Sequence, residues 1–315
     1  MKIAFHIPII DVRGTSVAAY DYAHYNETIL NNKSVFVSPM EMMNRADKIA
    51  MKRFRDRFEV RLYTDNIEQT IIDCDVLYAI KYGIRDGVES LRIRTVIHCV
   101  FDMTDPHGDV YAGVSSTLAQ KFGRKLYVPH MIGLKPDPTG KNMRRSLCIP
   151  EKARVFGRYG GMDTFNLVFA HEIIQQVAHE YPNDIFFLFA NTPVFCSEPN
   201  VIHLDKIVEE DEKNRFINTC DAHLECSTLG HTFGLAMGEF SVNNKPIIVY
   251  QGPVWNTAHY DILGDRAIYF RDGDTFRATL TSFSPTEWQT KDNNAYREYS
   301  PENVMRIFKN VFLDF

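Results

Sequence analysis

Residues 229–240, LGHTFGLAMGEF, combine three glycines at intervals of four with a histidine and a carboxylate. The stretch follows a predicted strand, Ala222–Glu225, and continues as a predicted helix over residues 232–242. The first turn of a helix has backbone N–H groups without internal partners, and the helix dipole adds partial positive charge there. A phosphate group binds readily at such a helix start. We therefore predict phosphate contacts at this turn, with packing of small residues against the sheet as the alternative. The predicted contacts are Thr232, Phe233, Gly234 and Leu235.

A second set of candidate residues lies in the first half of the chain. Gly14 and Thr15 follow the first predicted strand at a turn into a helix, where the backbone would approach a sugar or a diphosphate. An ordinary turn glycine is the alternative. His98 lies in a predicted strand and is either a core histidine or a catalytic group. Asp102 and Asp105 follow that strand, where a carboxylate either orients a hydroxyl group or caps a turn.

Several well-known site motifs are absent from the sequence. It contains no Gly-x-Gly and no G-x-x-x-x-G-K, which excludes the dinucleotide fingerprint and the phosphate-binding loop of many NTPases. His171 and Glu172 lack the second histidine of a zinc-protease helix, and no G-x-S-x-G elbow occurs. These absences argue against NAD-dependent oxidoreductases, P-loop enzymes, metalloproteases and α/β-hydrolases.

The elements that would position the candidate residues alternate between strand and helix along the chain. Short runs rich in Val, Ile and Phe predict buried strands, beginning with residues 2–10, and amphipathic stretches predict helices between them. The series includes helices over residues 41–57 and 163–181 and a strand over residues 125–128. Such repeats are typical of parallel sheets with helices on both faces. The predicted fold class is α/β, with two Rossmann-like doubly wound domains facing across a ligand-binding cleft.

A turn-rich stretch divides this series into two parts. Residues 138–150 show no sustained period and are predicted to be a linker. We therefore predict a first domain over residues 1–137 and a second domain over residues 151–298. Residues 299–315 form a terminal helix capped by Ser300, with one apolar stripe that must dock on another surface.

Composition limits the partners and the compartment. The 315 residues include 35 Lys and Arg against 40 Asp and Glu, so a net charge of −5 argues against nucleic acid as a partner. Lys141, Arg144 and Arg145 form a basic cluster, which is either a solvated face or a contact for an anionic ligand. Six dispersed cysteines predict reduced thiols and a cytoplasmic location. No apolar run approaches the roughly 20 residues of a membrane span, although contact with a membrane surface stays open.

Several segments resemble the GT-B glycosyltransferases of the retaining, nucleotide-sugar-dependent type. Residues 155–161, VFGRYGG, resemble the first strand and loop of their nucleotide-binding domain, and residues 245–248, KPII, resemble a later strand. In the family's signature, two glutamates with seven residues between them bracket a Phe-Gly-Leu core. This chain has the core, with His231 at the first position and Glu239 at the second. Residues 187–192, FLFANT, resemble a subgroup found in microbial and viral genomes.

The resemblance implies roles for individual residues. The chain would use a nucleoside diphosphate sugar as co-substrate and would need neither another cofactor nor a metal. Arg158 would contact the diphosphate of this donor, and Asn191 and Thr192 would lie in the donor site. Glu239 would accept hydrogen bonds from ribose hydroxyls, with a solvated helix carboxylate as the alternative. The C-terminal helix would pack back on the first domain.

The expected function is transfer of a sugar from this donor to a glycan or glycolipid acceptor, with retention of configuration. Negative charge grows on the leaving diphosphate during glycosyl transfer, so the site needs cationic groups and N–H donors. His98, Asp102 and His231 are the candidate catalytic residues. Two departures from the family pattern, Asp163 in place of a lysine and His231 in place of a glutamate, leave alternatives open. These are a sugar-nucleotide epimerase and an inactive relative that binds nucleotides or glycans.

Overall fold

The computed structural model describes residues 1–314, which form two compact units. Unit 1 comprises Met1–Gly133 and the described residues from Tyr299 onward, and unit 2 comprises Leu134–Glu298. Each unit contains a six-stranded parallel sheet with interleaved helices. The α/β prediction with two doubly wound sheets is therefore confirmed.

The strands of the two sheets are short and mostly buried. Those of unit 1 are β1 (Lys2–His6), β2 (Lys33–Pro39), β3 (Glu59–Tyr63), β4 (Val76–Lys81), β5 (Arg94–Cys99) and β6 (Val110–Gly113). Those of the unit 2 sheet are β7 (Arg154–Tyr159), β8 (Ile185–Ala190), β9 (Val201–Leu204), β10 (Ala222–Glu225), β12 (Ile247–Tyr250) and β14 (Ala267–Phe270). A separate two-stranded parallel sheet joins β11 (Gly230–His231) and β13 (Asn256–Thr257).

Helices connect these strands. They are α1 (Gly14–Thr28), α2 (Lys48–Arg57), α3 (Ser116–Lys121), α4 (Val168–Glu180), α5 (Glu210–Thr219), α6 (Leu235–Val242), α7 (Ala258–Leu263), α8 (Gly273–Ser282), α9 (Pro285–Gln289) and α10 (Pro301–Phe308). Short 3₁₀ segments are Met40–Arg45, Ile67–Gln69, Gly264–Arg266 and Arg297–Tyr299, and a π-helical segment, Lys309–Leu313, continues α10. Among residues 1–314, no helix is long and apolar enough to cross a membrane.

Both sheets begin in the middle and grow outward in two directions. The strand order in unit 1 is β3-β2-β1-β4-β5-β6, and the order in unit 2 is β14-β12-β10-β7-β8-β9. In unit 1, β2 and β3 follow on one side of β1, and β4 to β6 follow on its other side. In unit 2, β8 and β9 follow on one side of β7, and β10, β12 and β14 follow on its other side. The strand order therefore switches between β1 and β4 in unit 1 and between β7 and β10 in unit 2. In open α/β sheets, a crevice forms at such a switch point, outside the carboxyl ends of the strands.

The C-terminal helix is part of the unit 1 core. The ring of Phe308 stacks on Tyr22 of α1 at a centroid distance of 5.3 Å, and Phe312 packs edge-on against Tyr78 of β4 at 5.7 Å. All four side chains are buried. Burying aromatic rings in this way stabilises a helix that would be marginal in isolation.

The predicted linker, residues 138–150, instead packs within unit 2. Arg144 is buried, and its Nη2 donates to Asp221 Oδ2 at 3.0 Å. The Met143 N–H donates to Thr219 Oγ1 at 2.8 Å. Arg144 therefore has a structural role and is not a surface contact for an anionic ligand.

Several predicted elements differ from the structure, and the first is the strand predicted over residues 2–10, which ends at His6. The helix predicted over residues 41–57 is divided, because Asp47 caps a new start by accepting from the N–H groups of Ile49 and Ala50. The strand predicted over residues 125–128 is only a bridge between Gly113 and Tyr127. The helix predicted over residues 163–181 begins at Val168, because the preceding residues form a loop around a buried arginine, as described below.

Candidate functional site

The switch point of unit 2 brings two predicted segments together. β7 and β10 are neighbours, with Ala222 aligned to Phe156. The loop after β7 contains Gly160 and Gly161, and the chain after β10 leads through residues 226–234 into α6. The crevice at this edge is the position at which ligands bind in sheets of this topology.

Arg158 lies inside this edge of the sheet and is not open to a ligand. Its guanidinium donates from Nη1 to Thr192 Oγ1 at 2.6 Å and from Nη2 to the Gly161 carbonyl at 2.7 Å and Thr164 Oγ1 at 2.5 Å. The residue is 1 % exposed, and burial lowers the pKa of the guanidinium. A Cβ at Gly160 would lie 3.0 Å from Nη2, so a glycine lets this loop close over the cation. Arg158 is therefore not placed to contact a diphosphate directly, in contrast to the prediction from the sequence. Its guanidinium instead holds a positive charge beneath the loop.

Asn191 and Thr192 also hold the loop after β7. Asn191 has a left-handed backbone, with φ of 50°, and its Nδ2 donates to the Gly160 carbonyl at 2.7 Å. Thr192 is buried, accepts from Arg158 and donates from Oγ1 to the Ala190 carbonyl at 3.1 Å. The structure thus brings these two residues to the predicted site, where their side chains position the loop.

The predicted phosphate segment contains an open helix start. Gly234 has a φ of +92°, and a Cβ there would lie 2.3 Å from Met237 Cε, so the left-handed glycine delays α6 until Leu235. Among residues 1–314, no side chain caps α6, and its first turn contains no acidic residue. Thr232 and Phe233 are buried just before the helix. The first-turn N–H groups of α6 are therefore suited to receive an anion.

Phe233 acts as an anchor for this turn. Its ring is 2 % exposed and packs edge-on against Tyr296 at a centroid distance of 5.4 Å. The Tyr296 hydroxyl donates to the Phe233 carbonyl at 2.7 Å. The contribution of Phe233 to the site is therefore its backbone.

Glu239, in the second turn of α6, has partners on both carboxylate oxygens. Oε2 accepts from the Tyr159 hydroxyl at 2.6 Å, and Oε1 pairs with Lys213 Nζ at 2.6 Å. Burial and this carboxylate raise the pKa of Tyr159 well above its ordinary value. Each oxygen still has a second lone pair for a ribose hydroxyl. Lys213 is not among the predicted site residues, because nothing in the α5 sequence indicates that this side chain faces α6.

A group of histidines surrounds a second carboxylate that sequence analysis missed. Glu225, the last residue of β10, is 4 % exposed, and its Oε1 lies 3.0 Å from His231 Nε2. Its Oε2 lies 3.6 Å from Nε2 of the fully buried His223. Although burial acts to raise the pKa of Glu225, the two histidines hold it well below its ordinary value. An acidic residue that ends a buried strand was the signal available in the sequence.

His259 of α7 completes this group. The His231 backbone N–H donates to His259 Nδ1 at 3.3 Å, and the two rings meet edge to face at 5.4 Å. Burial is the main reason that the pKa of His259 is lowered to about 4, with the neighbouring His231 adding to the effect. Within residues 1–314, no group of three or more His, Cys, Asp or Glu side chains is arranged to hold a metal ion.

His98, predicted as a catalytic residue, is a core histidine. It is fully buried in β5, with Nδ1 2.7 Å from the Tyr78 hydroxyl and Nε2 2.7 Å from the Val128 carbonyl. Burial lowers its pKa to about 4. Both nitrogens are occupied, so the ring has no free position for a reacting group.

The remaining unit 1 candidates occupy turns. Asp102 accepts on Oδ1 from the Thr104 N–H at 2.8 Å and from its hydroxyl at 2.5 Å, which is the turn-capping alternative. Gly14 and Thr15 form the first turn of α1, whose preceding residue Arg13 provides no side-chain cap. Asp102 therefore caps its own turn. The start of α1 has no side-chain cap and could still contact a ligand, as predicted.

Unit 1 also has a pocket at its carboxyl edge that sequence analysis missed. The pocket has a volume of about 570 Å³ and lies where β1, β2 and β3 end. His6 and Tyr63 face each other there, with His6 Nε2 3.0 Å from the Tyr63 hydroxyl. Asp86 pairs with the buried Lys81 of β4 at 2.5 Å. Other lining residues include Glu41, Asp65 and Glu89.

Solved structures of other proteins resemble this chain over nearly its whole length. HepE of Anabaena in complex with UDP-glucose gives a TM-score of 0.69 at 13% identity, over 99% of this chain and 95% of that chain. A glycosyltransferase from Rickettsia africae gives 0.68 at 8% identity, over 100% and 99%. A UDP-N-acetylglucosamine 2-epimerase gives 0.61 at 10% identity, over 98% and 95%. Neither a protein-family model nor a curated protein sequence matches the chain. At these identities, the likeness shows the fold, which is that of the GT-B glycosyltransferases.

Proposed function

We propose that the protein transfers a sugar from a nucleoside diphosphate donor to a glycan or glycolipid acceptor. The observation that carries this proposal is the switch point of unit 2. There, the uncapped start of α6 and the loop over Arg158 belong to adjacent strands, and Tyr159 links β7 directly to Glu239 of α6. The fold shared with glycosyltransferases supports the same function.

The electrostatics of this edge suit a leaving diphosphate. The N–H groups of the first α6 turn would donate to phosphate oxygens, and the helix dipole would stabilise the charge that grows on them. The buried Arg158 adds a fixed positive charge in an environment of low dielectric, where Coulomb interactions are stronger than in water. Glu239 would then accept from the ribose hydroxyls of the same donor.

The pocket of unit 1 is our candidate for the acceptor. Its Tyr63 hydroxyl and the carboxylates of Asp86 and Glu89 offer both a donor and acceptors to sugar hydroxyls, while the buried His6 holds the Tyr63 hydroxyl in place. An acceptor rich in hydroxyl groups, such as a glycan, matches this chemistry. Retention of configuration and catalysis without a metal follow only from the family resemblance and belong to the proposal.

The chemistry of the cysteines supports a cytoplasmic location. All six cysteines are unpaired, and five of them are buried. Free thiols persist in a reducing compartment, whereas exported proteins commonly form disulfides. We therefore propose that the reaction takes place in the cytoplasm.

Binding and turnover measurements test the proposal. Calorimetry with UDP, GDP and dTDP identifies the nucleotide, and a ligand at about a hundred times its Kd should add roughly 2.7 kcal/mol to the stability of the protein. Transfer is then measured with the matching nucleotide sugar and an array of glycan acceptors. Failure of all three nucleotides to bind would overturn the proposal.

A sugar-nucleotide epimerase is the second candidate, favoured by the likeness to the 2-epimerase. Incubation with the nucleotide sugar alone separates the two functions, because an epimerase converts the donor without an acceptor. Recovery of an epimeric nucleotide sugar would favour this second function. Nucleotide binding without epimerisation, hydrolysis or transfer would instead identify an inactive binding protein.

A further inference from the structure

Glu225 is a buried carboxylate at the ligand edge of the unit 2 sheet, and our proposed function gives it no role. A carboxylate that is 4 % exposed costs several kcal/mol unless nearby groups compensate its charge. His231 Nε2 lies 3.0 Å from Oε1, which is an ion-pair distance, and within residues 1–314 neither of these buried atoms has a hydrogen-bond partner of standard geometry. Glu225 and His231 therefore form a pair.

The charged and titratable groups around His231 come from three elements. β10 contributes Glu225 and His223, α7 contributes His259, and the positive charge of Arg158 in β7 acts on the same carboxylate. Burial lowers the pKa of both His223 and His259, so these two rings are neutral near pH 7. Glu225 is thus the anionic group that faces His231.

This arrangement determines which nitrogen of His231 carries the proton. A carboxylate beside one imidazole nitrogen favours the tautomer with the proton on that nitrogen. In neutral His231, we therefore expect the proton on Nε2, beside the Glu225 carboxylate, and the lone pair on Nδ1. The side chain is 21% exposed while Nε2 is buried, so the exposed part of the ring is on the side away from Glu225.

We propose that Glu225 is a positioning residue that makes His231 Nδ1 a hydrogen-bond acceptor for a hydroxyl of the transferred sugar. The inference rests on the proposed function, because it assumes a nucleoside diphosphate sugar at this edge. A histidine held in this way accepts a hydrogen bond as a carboxylate would. The Glu225 carboxylate does not touch the sugar, because it lies on the Nε2 side of the His231 ring and acts only by fixing the proton on that nitrogen.

The tautomer is measured directly by ¹⁵N NMR of histidine-labelled protein at pH 8.5, where an ordinary imidazole is neutral. We expect Nε2-protonated His231 in the natural chain and a mixture of tautomers in Glu225→Gln, whose amide also donates. Glu225→Asp should restore much of the Nε2 form. Predominant protonation of Nδ1 in the natural chain would overturn the proposal, whether or not any nucleotide binds.

A double-mutant cycle tests the contact with the sugar. The measured quantity is the ratio of the Kd of a nucleoside diphosphate to that of its glucose conjugate, for UDP, GDP and dTDP. Glu225→Gln and His231→Phe should each reduce this ratio by about threefold to tenfold, and the double variant should lose no more than His231→Phe alone. Glu287→Gln, an exposed carboxylate in α9, is the control and should leave the ratio unchanged.

The outcomes distinguish this inference from the proposed function. If no nucleoside diphosphate binds, the proposed function fails and the sugar contact fails with it. If nucleotides bind but the ratio stays the same in Glu225→Gln, the proposed function survives and this inference is overturned. Additive losses in the double variant would show that Glu225 acts independently of His231. Urea unfolding of each variant identifies any general loss of structure.

Discussion

The Tyr159 hydroxyl donates a hydrogen bond to Glu239 Oε2 at 2.6 Å, and this contact ties the end of β7 to the second turn of α6. Lys213 of α5 neutralises the other oxygen of the same carboxylate. Three elements therefore converge on Glu239 before any ligand is bound. The carboxylate is held in one orientation, so the binding of a ribose would not need to order it.

Glu239→Gln tests the ligand contact of this carboxylate. We expect a loss of at least about tenfold in nucleoside diphosphate affinity, because hydrogen bonds to charged groups contribute about 1.5–3 kcal/mol. Tyr159→Phe retains the carboxylate and is the matched control, with a loss of stability and less than about a threefold change in affinity. Calorimetry measures the affinity. Equal affinity of Glu239→Gln and the natural chain would remove Glu239 from the site.

Arg158→Lys tests whether the buried cation holds the loop after β7. A lysine retains the charge but cannot reach all the acceptors that the planar guanidinium bridges. We expect unit 2 to lose about 2–4 kcal/mol of stability and nucleotide affinity to fall about tenfold or more. Both tryptophans, Trp255 and Trp288, belong to unit 2, so tryptophan fluorescence follows its unfolding in urea.

Arg154→Lys is the control for this substitution. Arg154 begins the same strand at the opposite edge of the sheet, and its Nη1 donates to the Thr281 carbonyl at 2.6 Å. This variant should lose stability without loss of nucleotide affinity. If both arginine variants bind nucleotides as the natural chain does, the hydrogen bonds by which Arg158 holds this loop have no part in binding.

Gly234→Ala tests the helix start that would bind phosphate. An alanine there must adopt a left-handed backbone, at a cost of about 1–2 kcal/mol, and its Cβ would also displace Met237. We expect lower stability and at least about a fivefold loss of nucleotide affinity, since α6 would shift its first turn. Gly264→Ala is the control, because Gly264 has a φ of +52° but open space around it. That variant should lose stability only, and an equal loss of affinity would refute the phosphate contact.

The sequence pattern predicted those features that depend on residues close together in the chain. The apolar strands could be predicted because a parallel strand that is buried on both faces of its sheet has a continuous run of hydrophobic residues, as in β8. The glycine-rich start of α6 was visible because its spacing is local. Gly234 nevertheless delays the helix, because its left-handed backbone precedes the helix start at Leu235, and Met237 and Tyr296 occupy the space that a Cβ at this position would need.

Contacts between distant segments could not be predicted in this way. Lys213 and Glu239 are on different helices, and only the packing of both helices on one sheet brings them to 2.6 Å. Likewise, the sequence places Glu225 at the end of a buried strand, but it does not indicate that the loop after β10 brings His231 within 3.0 Å of this carboxylate. The catalytic prediction for His98 failed for the same reason, because the burial of its ring depends on residues far away in the chain.

His98 predicts how the stability of unit 1 depends on pH. Its pKa is about 4 in the folded protein, because of burial, and about 6.5 in an unfolded chain. The unfolded state therefore binds more protons between these values, so stability is complete above pH 6.5 and falls as the pH decreases toward 4. The loss from this residue between pH 6.5 and pH 5 is on the order of 2 kcal/mol.

His98→Gln removes this contribution. The variant should be less stable than the natural chain at pH 7, because the Tyr78 and Val128 partners are disturbed, and the difference should shrink by roughly 2 kcal/mol at pH 5. Hydrogen exchange of β5 amides measures the stability of unit 1 at both pH values. A constant difference between His98→Gln and the natural chain would mean that His98 accepts a proton in the folded protein, and its assignment as a neutral core histidine would then be incorrect.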